Sequence, residues 1–235
     1  MKKLLLVAFA VCLMVPAAYA ITTHTYSWED GTGTDMGQYG NVSVSENISG
    51  PHTGNTGPPG TPYTCPGAGD GMYYLHTQEA PHSSTPYVMV ACITGLAYGD
   101  TVHAELLCYD VSPDLSPSGR LWGGYHDAVT CIDCPGVYVS SAGSGYYNSG
   151  YSPGLGWDQM QASWEFNAVG DPTWTSLVIQ ARMYSSPSTC DTCYSDFYFD
   201  LIEVHVPDYA SVRFPDFGPS AVESGSWGSI KALYR

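Results

Sequence analysis

Thr101-Val102-His103-Ala104-Glu105-Leu106-Leu107-Cys108-Tyr109-Asp110-Val111 is the stretch on which the fold turns. In an extended chain successive side chains point to opposite faces, so Val102, Ala104, Leu106 and Cys108 share one face and His103, Glu105, Leu107 and Tyr109 the other. The apolar set falls at period two, as in a strand that buries one face. The turn Gly99-Asp100 precedes it and a breaker-rich stretch, 112–119, follows it.

Working outward, the same period recurs. Met160, Ala162, Trp164 and Phe166 alternate, and so do Leu177, Ile179, Ala181 and Met183 opposite Gln180 and Arg182. Residues 197–206 are apolar on both sides apart from Asp200, Glu203 and His205, which predicts a strand lying centrally between two sheets. Shorter β-prone runs occupy 22–28, 72–77, 87–94 and 120–125. Between them lie clusters of Gly, Pro and Ser, the largest at 49–71, read as a long surface loop, and another at 140–156. With 26 glycines, 17 prolines and only 12% charged residues, the chain has no apolar run at helical spacing before its last ten residues. The expectation is an all-β, antiparallel β-sandwich with long Gly/Pro/Ser-rich loops.

Lys2 and Lys3, the apolar run 4–15 and the small residues Ala18 and Ala20 form the pattern of a secretory signal peptide over 1–20. The apolar run is too short for a membrane span, which needs about 20 residues, so no membrane insertion is expected. The sandwich is expected over 21–207, a linker over 208–225, and a short amphipathic tail over 226–235 with Trp227, Ile230 and Leu233 on one side. That tail is read either as a signal for export or surface-attachment machinery or as a segment docking on the sandwich. The formal net charge of −15, made more negative by loss of Lys2 and Lys3, excludes nucleic acid as a partner, since such binding relies on basic groups displacing counterions.

Beyond the leader the cysteines are Cys65, Cys92, Cys108, Cys131, Cys134, Cys190 and Cys193. Cys131/Cys134 and Cys190/Cys193 are two C-x-x-C pairs. Disulfides are the favoured reading in an exported chain, a four-thiolate zinc site the next, and a redox site the poorest for want of a strand-to-helix context. No G-x-S-x-G or H-E-x-x-H motif is present. Asp158 and Glu165 are the one acid pair considered for a glycoside hydrolase.

Four stretches then resemble the carbohydrate-binding jelly-roll modules of the galactose-binding-domain-like group: Ser27-Trp28-Glu29-Asp30-Gly31, Gly69-Asp70-Gly71-Met72-Tyr73-Tyr74-Leu75, Gly95-Leu96-Ala97-Tyr98-Gly99-Asp100-Thr101-Val102, and Phe197-Tyr198-Phe199-Asp200-Leu201-Ile202-Glu203-Val204. Leu201 departs from the pattern, in which a second acidic or amide residue often follows the aspartate. The resemblance implies a structural calcium held by Glu29 and Asp200, calcium being suited to mixed carboxylate and carbonyl oxygens. The alternative is that Glu29 is a turn residue and Asp200 is simply hydrogen-bonded. It also implies a polysaccharide or glycan partner stacked on aromatic faces, for which the loop aromatics Trp122, Tyr125, Tyr146, Tyr147, Tyr151 and Trp157 are the candidates, with Trp164 assigned to the core. The function expected is a secreted non-catalytic binding module. A structural or adhesive surface protein is the alternative, and a secreted glycoside hydrolase is less favoured. Convergence of the loop aromatics on one platform separates the first from the second.

Overall fold

A computed structural model describes residues 19–29, 31, 33, 36–46, 53–55, 62–64, 69–79, 85–110, 118–126, 137–143, 157–167, 174–184 and 195–215. The strands are β1 (Ile21–Tyr26), β2 (Gln38–Tyr39), β3 (Asn41–Glu46), β4 (Thr53–Asn55), β5 (Pro62–Thr64), β6 (Tyr73–Glu79), β7 (Tyr87–Thr94), β8 (Thr101–Asp110), β9 (Ser118–His126), β10 (Val137–Gly143), β11 (Asp158–Glu165), β12 (Ser176–Tyr184), β13 (Ser195–Pro207) and β14 (Ser211–Arg213). One six-stranded sheet, sheet A, runs β11-β8-β13-β6-β3, with β1 also on β13; the other, sheet B, runs β10-β9-β12-β7-β14, with β2 also on β7. All pairings are antiparallel. From β6 to β9 and again from β11 to β14 the chain crosses between sheets at each step, which makes the sandwich a jelly roll.

The alternation read from β8 decides which side of sheet A is buried. Val102, Ala104, Leu106 and Cys108 face sheet B together with Met160 and Trp164 of β11, Phe197, Phe199, Ile202, Val204 and Val206 of β13, and Leu75 of β6. Sheet B contributes Ile93, Leu121, Leu177, Ile179, Ala181 and Met183 to the same core. Each such side chain, once fully buried, contributes roughly 1.5–3 kcal/mol. Trp164, assigned to the core, is 1% exposed.

Gly123 on β9 makes room for that indole. A Cβ at this position would fall well inside contact distance of the Trp164 ring, whose Nε1 donates to the Ser140 carbonyl at 3.2 Å. Gly123→Ala is therefore expected to lower stability by about 1–3 kcal/mol through overpacking, measured as a lower midpoint in chemical unfolding.

Several expectations are corrected by the topology. β13 is central within sheet A, flanked by β8 and by β6 and β1, rather than lying between the two sheets. Its outward face carries Tyr198, Asp200, Glu203 and His205. The 49–71 loop contains the β4–β5 hairpin. The sandwich extends beyond residue 207: β14 pairs with β7, Phe214 stacks on Tyr26 at 5.5 Å, and the Tyr26 hydroxyl donates to the Pro215 carbonyl, so the segment 208–215 belongs to the domain and not to a linker. β2, β3 and β10 carry no strong sequence signal. Residues 1–18 and 216–235, with most of the leader and the amphipathic tail, lie outside the described residues; β1 begins at Ile21, one residue past the expected cleavage point. Among the described residues no helix is long and apolar enough to cross a membrane.

Candidate functional site

The outer face of sheet A, away from the core, gathers aromatic rings at one end. Tyr198 of β13 pairs across to Tyr109 of β8 on one side and His76 of β6 on the other, so all three project from the same face. Tyr74, two residues before His76, joins them, and Trp157 leans in from the residue preceding β11. Tyr74 and Tyr198 meet edge-to-face at 5.4 Å, His76 stacks on Tyr198 at 4.8 Å, and Trp157 contacts Tyr109 at 5.7 Å in a T arrangement. Tyr74 and Tyr198 are buried at the base of the patch, whereas His76, Tyr109 and Trp157 are half-buried.

A turn lies across this patch and two carboxylates hold it. Asp200, fully buried, accepts the backbone N–H groups of Gly69 and Asp70 on Oδ2 at 2.8 Å each, and that of Leu201 on Oδ1 at 2.8 Å. Glu29 accepts from Met72 at 2.9 and 3.0 Å and from Tyr73 at 2.9 Å. The register of β13 shifts between Asp200 and Ile202, and Leu201 absorbs the shift with a φ of +34°. This bulge keeps Asp200 outward while Ile202 returns to the core. Gly69 sits so close to Trp157 that a Cβ would lie 2.9 Å from its Cδ2 and 3.2 Å from Leu107 Cδ1. The turn thus fixes the position of the tryptophan.

This geometry shows what Glu29 and Asp200 bond to. Glu29 and Asp200 both hold the same turn, and each aims its oxygens at N–H donors, the positive ends of peptide dipoles. The hydrogen-bonded reading of Asp200 is the one found. Burial, reinforced by the neighbouring Asp70 carboxylate and opposed by the three N–H bonds, pushes the Asp200 carboxyl up to about 7.

Of the sequence-derived aromatics, the three among the described residues, Trp122, Tyr125 and Trp157, do not converge. Trp157 is in the patch on sheet A. Trp122 projects from the outer face of sheet B, with Tyr138 of β10 stacked at 4.8 Å on one side and the Arg182 guanidinium of β12 at 3.4 Å on the other, so neighbours occupy both ring faces. Arg182 also covers Tyr87 at 4.7 Å, and Tyr87 stacks on Tyr39 at 5.7 Å, which completes a ladder across the sheet. Tyr125 is a core residue. It points inward from β9, packs on Phe166 at 5.3 Å, and its hydroxyl donates to the Glu165 carbonyl and accepts from the Asn167 N–H. The reason is parity: Tyr125 shares the inward face of β9 with Leu121 and Gly123, whereas Trp122 takes the outward one. Tyr146, Tyr147 and Tyr151 lie outside the described residues, as do Cys131, Cys134, Cys190 and Cys193. Asp158 and Glu165 stand at opposite ends of β11, about 23 Å apart at the rise of a strand, too far to act as an acid pair.

Sequence reasoning missed Tyr74, His76, Tyr109 and Tyr198 because it searched the loops. The signal was present in the period-two pattern: Tyr109 was already on the non-core face of its strand, and aromatic residues on a solvent face invite the question of what covers them.

No protein-family model matches the chain, and no curated protein matches it. Among solved structures the chain is similar to the CBM22-1 xylan-binding domain of Xyn10C from Paenibacillus barcinonensis, at 13% identity over 81% of this chain and 98% of that one, with a TM-score of 0.44. It is also similar to the C-terminal family 22 carbohydrate-binding module of Xyn10B from Clostridium thermocellum, at 11% identity over 79% of this chain and 93% of that one, TM-score 0.41. The enzymatically active domain of tailspike protein 4 from bacteriophage CBA120 is matched at 10% identity over 78% of this chain and 19% of that one, TM-score 0.39. At such identities the likeness is one of β-sandwich architecture.

Proposed function

We propose that the protein is a secreted, non-catalytic carbohydrate-binding module whose ligand lies on the outer face of sheet A, against Trp157, Tyr109 and His76. The observation that carries this reading is the convergence of these half-buried rings, from three separate segments, on one face that a hydrogen-bonded turn holds in place. Apolar faces of sugar rings stack on such side chains, and flanking polar groups select hydroxyl orientation. Gln161, exposed on β11, supplies an amide group along the same face. A neutral polysaccharide suits it better than an anionic one, because the chain is strongly acidic.

The structural or adhesive alternative draws on one specific observation: of the loop aromatics first considered, Trp122 is consumed in a stack on the opposite sheet and Tyr125 is buried. Isothermal titration of the purified protein against soluble xylan, mixed-linkage glucan, mannan and galactan separates the two. Saturable binding to one glycan, weakened roughly 10- to 100-fold by Tyr109→Ala with the far-ultraviolet spectrum unchanged, is the expected result. Absence of binding to every glycan sinks the proposal in favour of a structural role.

A further inference from the structure

The other end of the same outer face holds a cluster of a different chemistry. His103 and Glu105 project from β8, and His205 and Glu203 from the paired positions of β13, the register being His103 against His205 and Glu105 against Glu203. One ligand atom each from His103, Glu105 and His205 lies within 4.8 Å of the others, and all three residues are half-buried. The rings of His103 and His205 are 5.4 Å apart.

What distinguishes this cluster from a chance grouping is that the far atom of every member is tied to a further side chain. Nδ1 of His103 is held by the Ser163 hydroxyl at 2.8 Å, and Nδ1 of His205 by the Thr23 hydroxyl at 2.9 Å. The second oxygen of Glu105 accepts from the Gln159 amide. Both Nε2 atoms are thereby turned toward the cluster. Nε2 of His103 meets Glu105 Oε1 at 3.0 Å, while Nε2 of His205 is buried with no hydrogen-bond partner, its nearest carboxylate oxygen being Glu203 Oε2 at 4.0 Å. A buried ring nitrogen without a partner is costly unless something is bound there. Imidazoles oriented through the opposite nitrogen are the usual arrangement of metal-ligating histidines.

The geometry points to a divalent transition-metal site formed by His103 Nε2, Glu105 Oε1 and His205 Nε2, with a fourth position open to water or Glu203. Two imidazoles and a carboxylate favour zinc or a similar ion and disfavour calcium, which takes oxygen donors. Binding needs modest closure of the side chains to bring the nitrogens within about 2.0–2.1 Å of the ion. It also needs the Nε2 proton of His103 to leave that nitrogen, with Nδ1–H then donating to Ser163. Bound metal would clamp β8 to β13, the central pair of sheet A, independently of whether the aromatic end binds a glycan.

Calorimetric titration of the metal-stripped protein with zinc chloride, and in parallel with calcium chloride, tests this. Expected are saturable zinc binding and no calcium binding. His205→Ala or His103→Ala should remove zinc binding, while Ser163→Ala and Thr23→Val, which keep the ligands, weaken it roughly 10- to 100-fold. Because the chain also carries C-x-x-C pairs, cobalt is used as a spectroscopic stand-in. A visible spectrum without thiolate charge transfer, lost in His205→Ala, supports the site. A thiolate band, zinc affinity unchanged in both histidine variants, or no zinc binding at all overturns it.

Discussion

Replacing Asp200 with alanine lowers the stability of the protein by about 3 kcal/mol and frees the turn at Gly69. The carboxylate is the common acceptor of three backbone N–H groups, those of Gly69, Asp70 and Leu201. Removing it leaves donors that no other group replaces, at about 1–3 kcal/mol for each that stays out of water, partly relieved as the turn opens to solvent. Leu201 at a φ of +34° then keeps its strain without the bond from its own N–H that accompanies it. Equilibrium urea unfolding measures the loss, and a midpoint within error of the unaltered protein refutes the anchor role.

The same residue makes stability depend on pH in a stated direction. The folded protein holds the Asp200 proton up to about pH 7, whereas the unfolded chain releases it near its ordinary value of 3.8. Between those values the native state binds more protons than the unfolded one, so this contribution is complete below about pH 4, falls as pH rises and is lost above about 7. A shift of three pKa units corresponds to ~4 kcal/mol. Asp200→Asn cannot titrate and is expected to flatten this part of the profile while remaining less stable than the unaltered protein. Equal midpoints for the unaltered protein at pH 5 and pH 8 would contradict the raised pKa.

On the proposed glycan-binding role, Trp157→Ala is expected to weaken glycan binding at least 30-fold, whereas Trp122→Ala is expected to leave affinity unchanged and lower stability. Trp157 is a half-buried ring of the patch, in contact with Tyr109 and held against Gly69, and an aromatic anchor of that kind contributes roughly 2 kcal/mol or more, at least a 30-fold loss of affinity. Trp122 instead spends both faces on Tyr138 and Arg182, so its loss removes a stack and a cation–π contact of about 1–2 kcal/mol from sheet B. Titration calorimetry of both variants against the glycan that binds, beside their unfolding curves, gives a two-way contrast. Loss of affinity in Trp122→Ala with Trp157→Ala unaffected would move the binding face to the other sheet.

The sequence alone determined the strands whose one face is buried, because apolar period two is a local property. β8, β11 and β12 fall within a few residues of where alternation put them, β7 and β13 where β-prone and apolar runs did, and Trp164 was assigned to the core from its place among Met160, Ala162 and Phe166. It also singled out Glu29 and Asp200, though not what they do: a carboxylate in a motif has the same letter whether it meets a cation or three N–H groups. Short, polar or edge strands such as β2, β3, β10 and β14 escaped, since their partners lie far along the chain and supply what the local pattern lacks. The sites were decided only by tertiary structure. Pairing of β13 with β6 and β8 puts Tyr198 beside His76 and Tyr109, and the same register sets His205 opposite His103. Parity sends Trp122 out and Tyr125 in although they stand three residues apart on β9. Alternation fixes which side of its own strand a residue takes, but which residues of other strands share that side depends on register and sheet order, and those are set by long-range pairing.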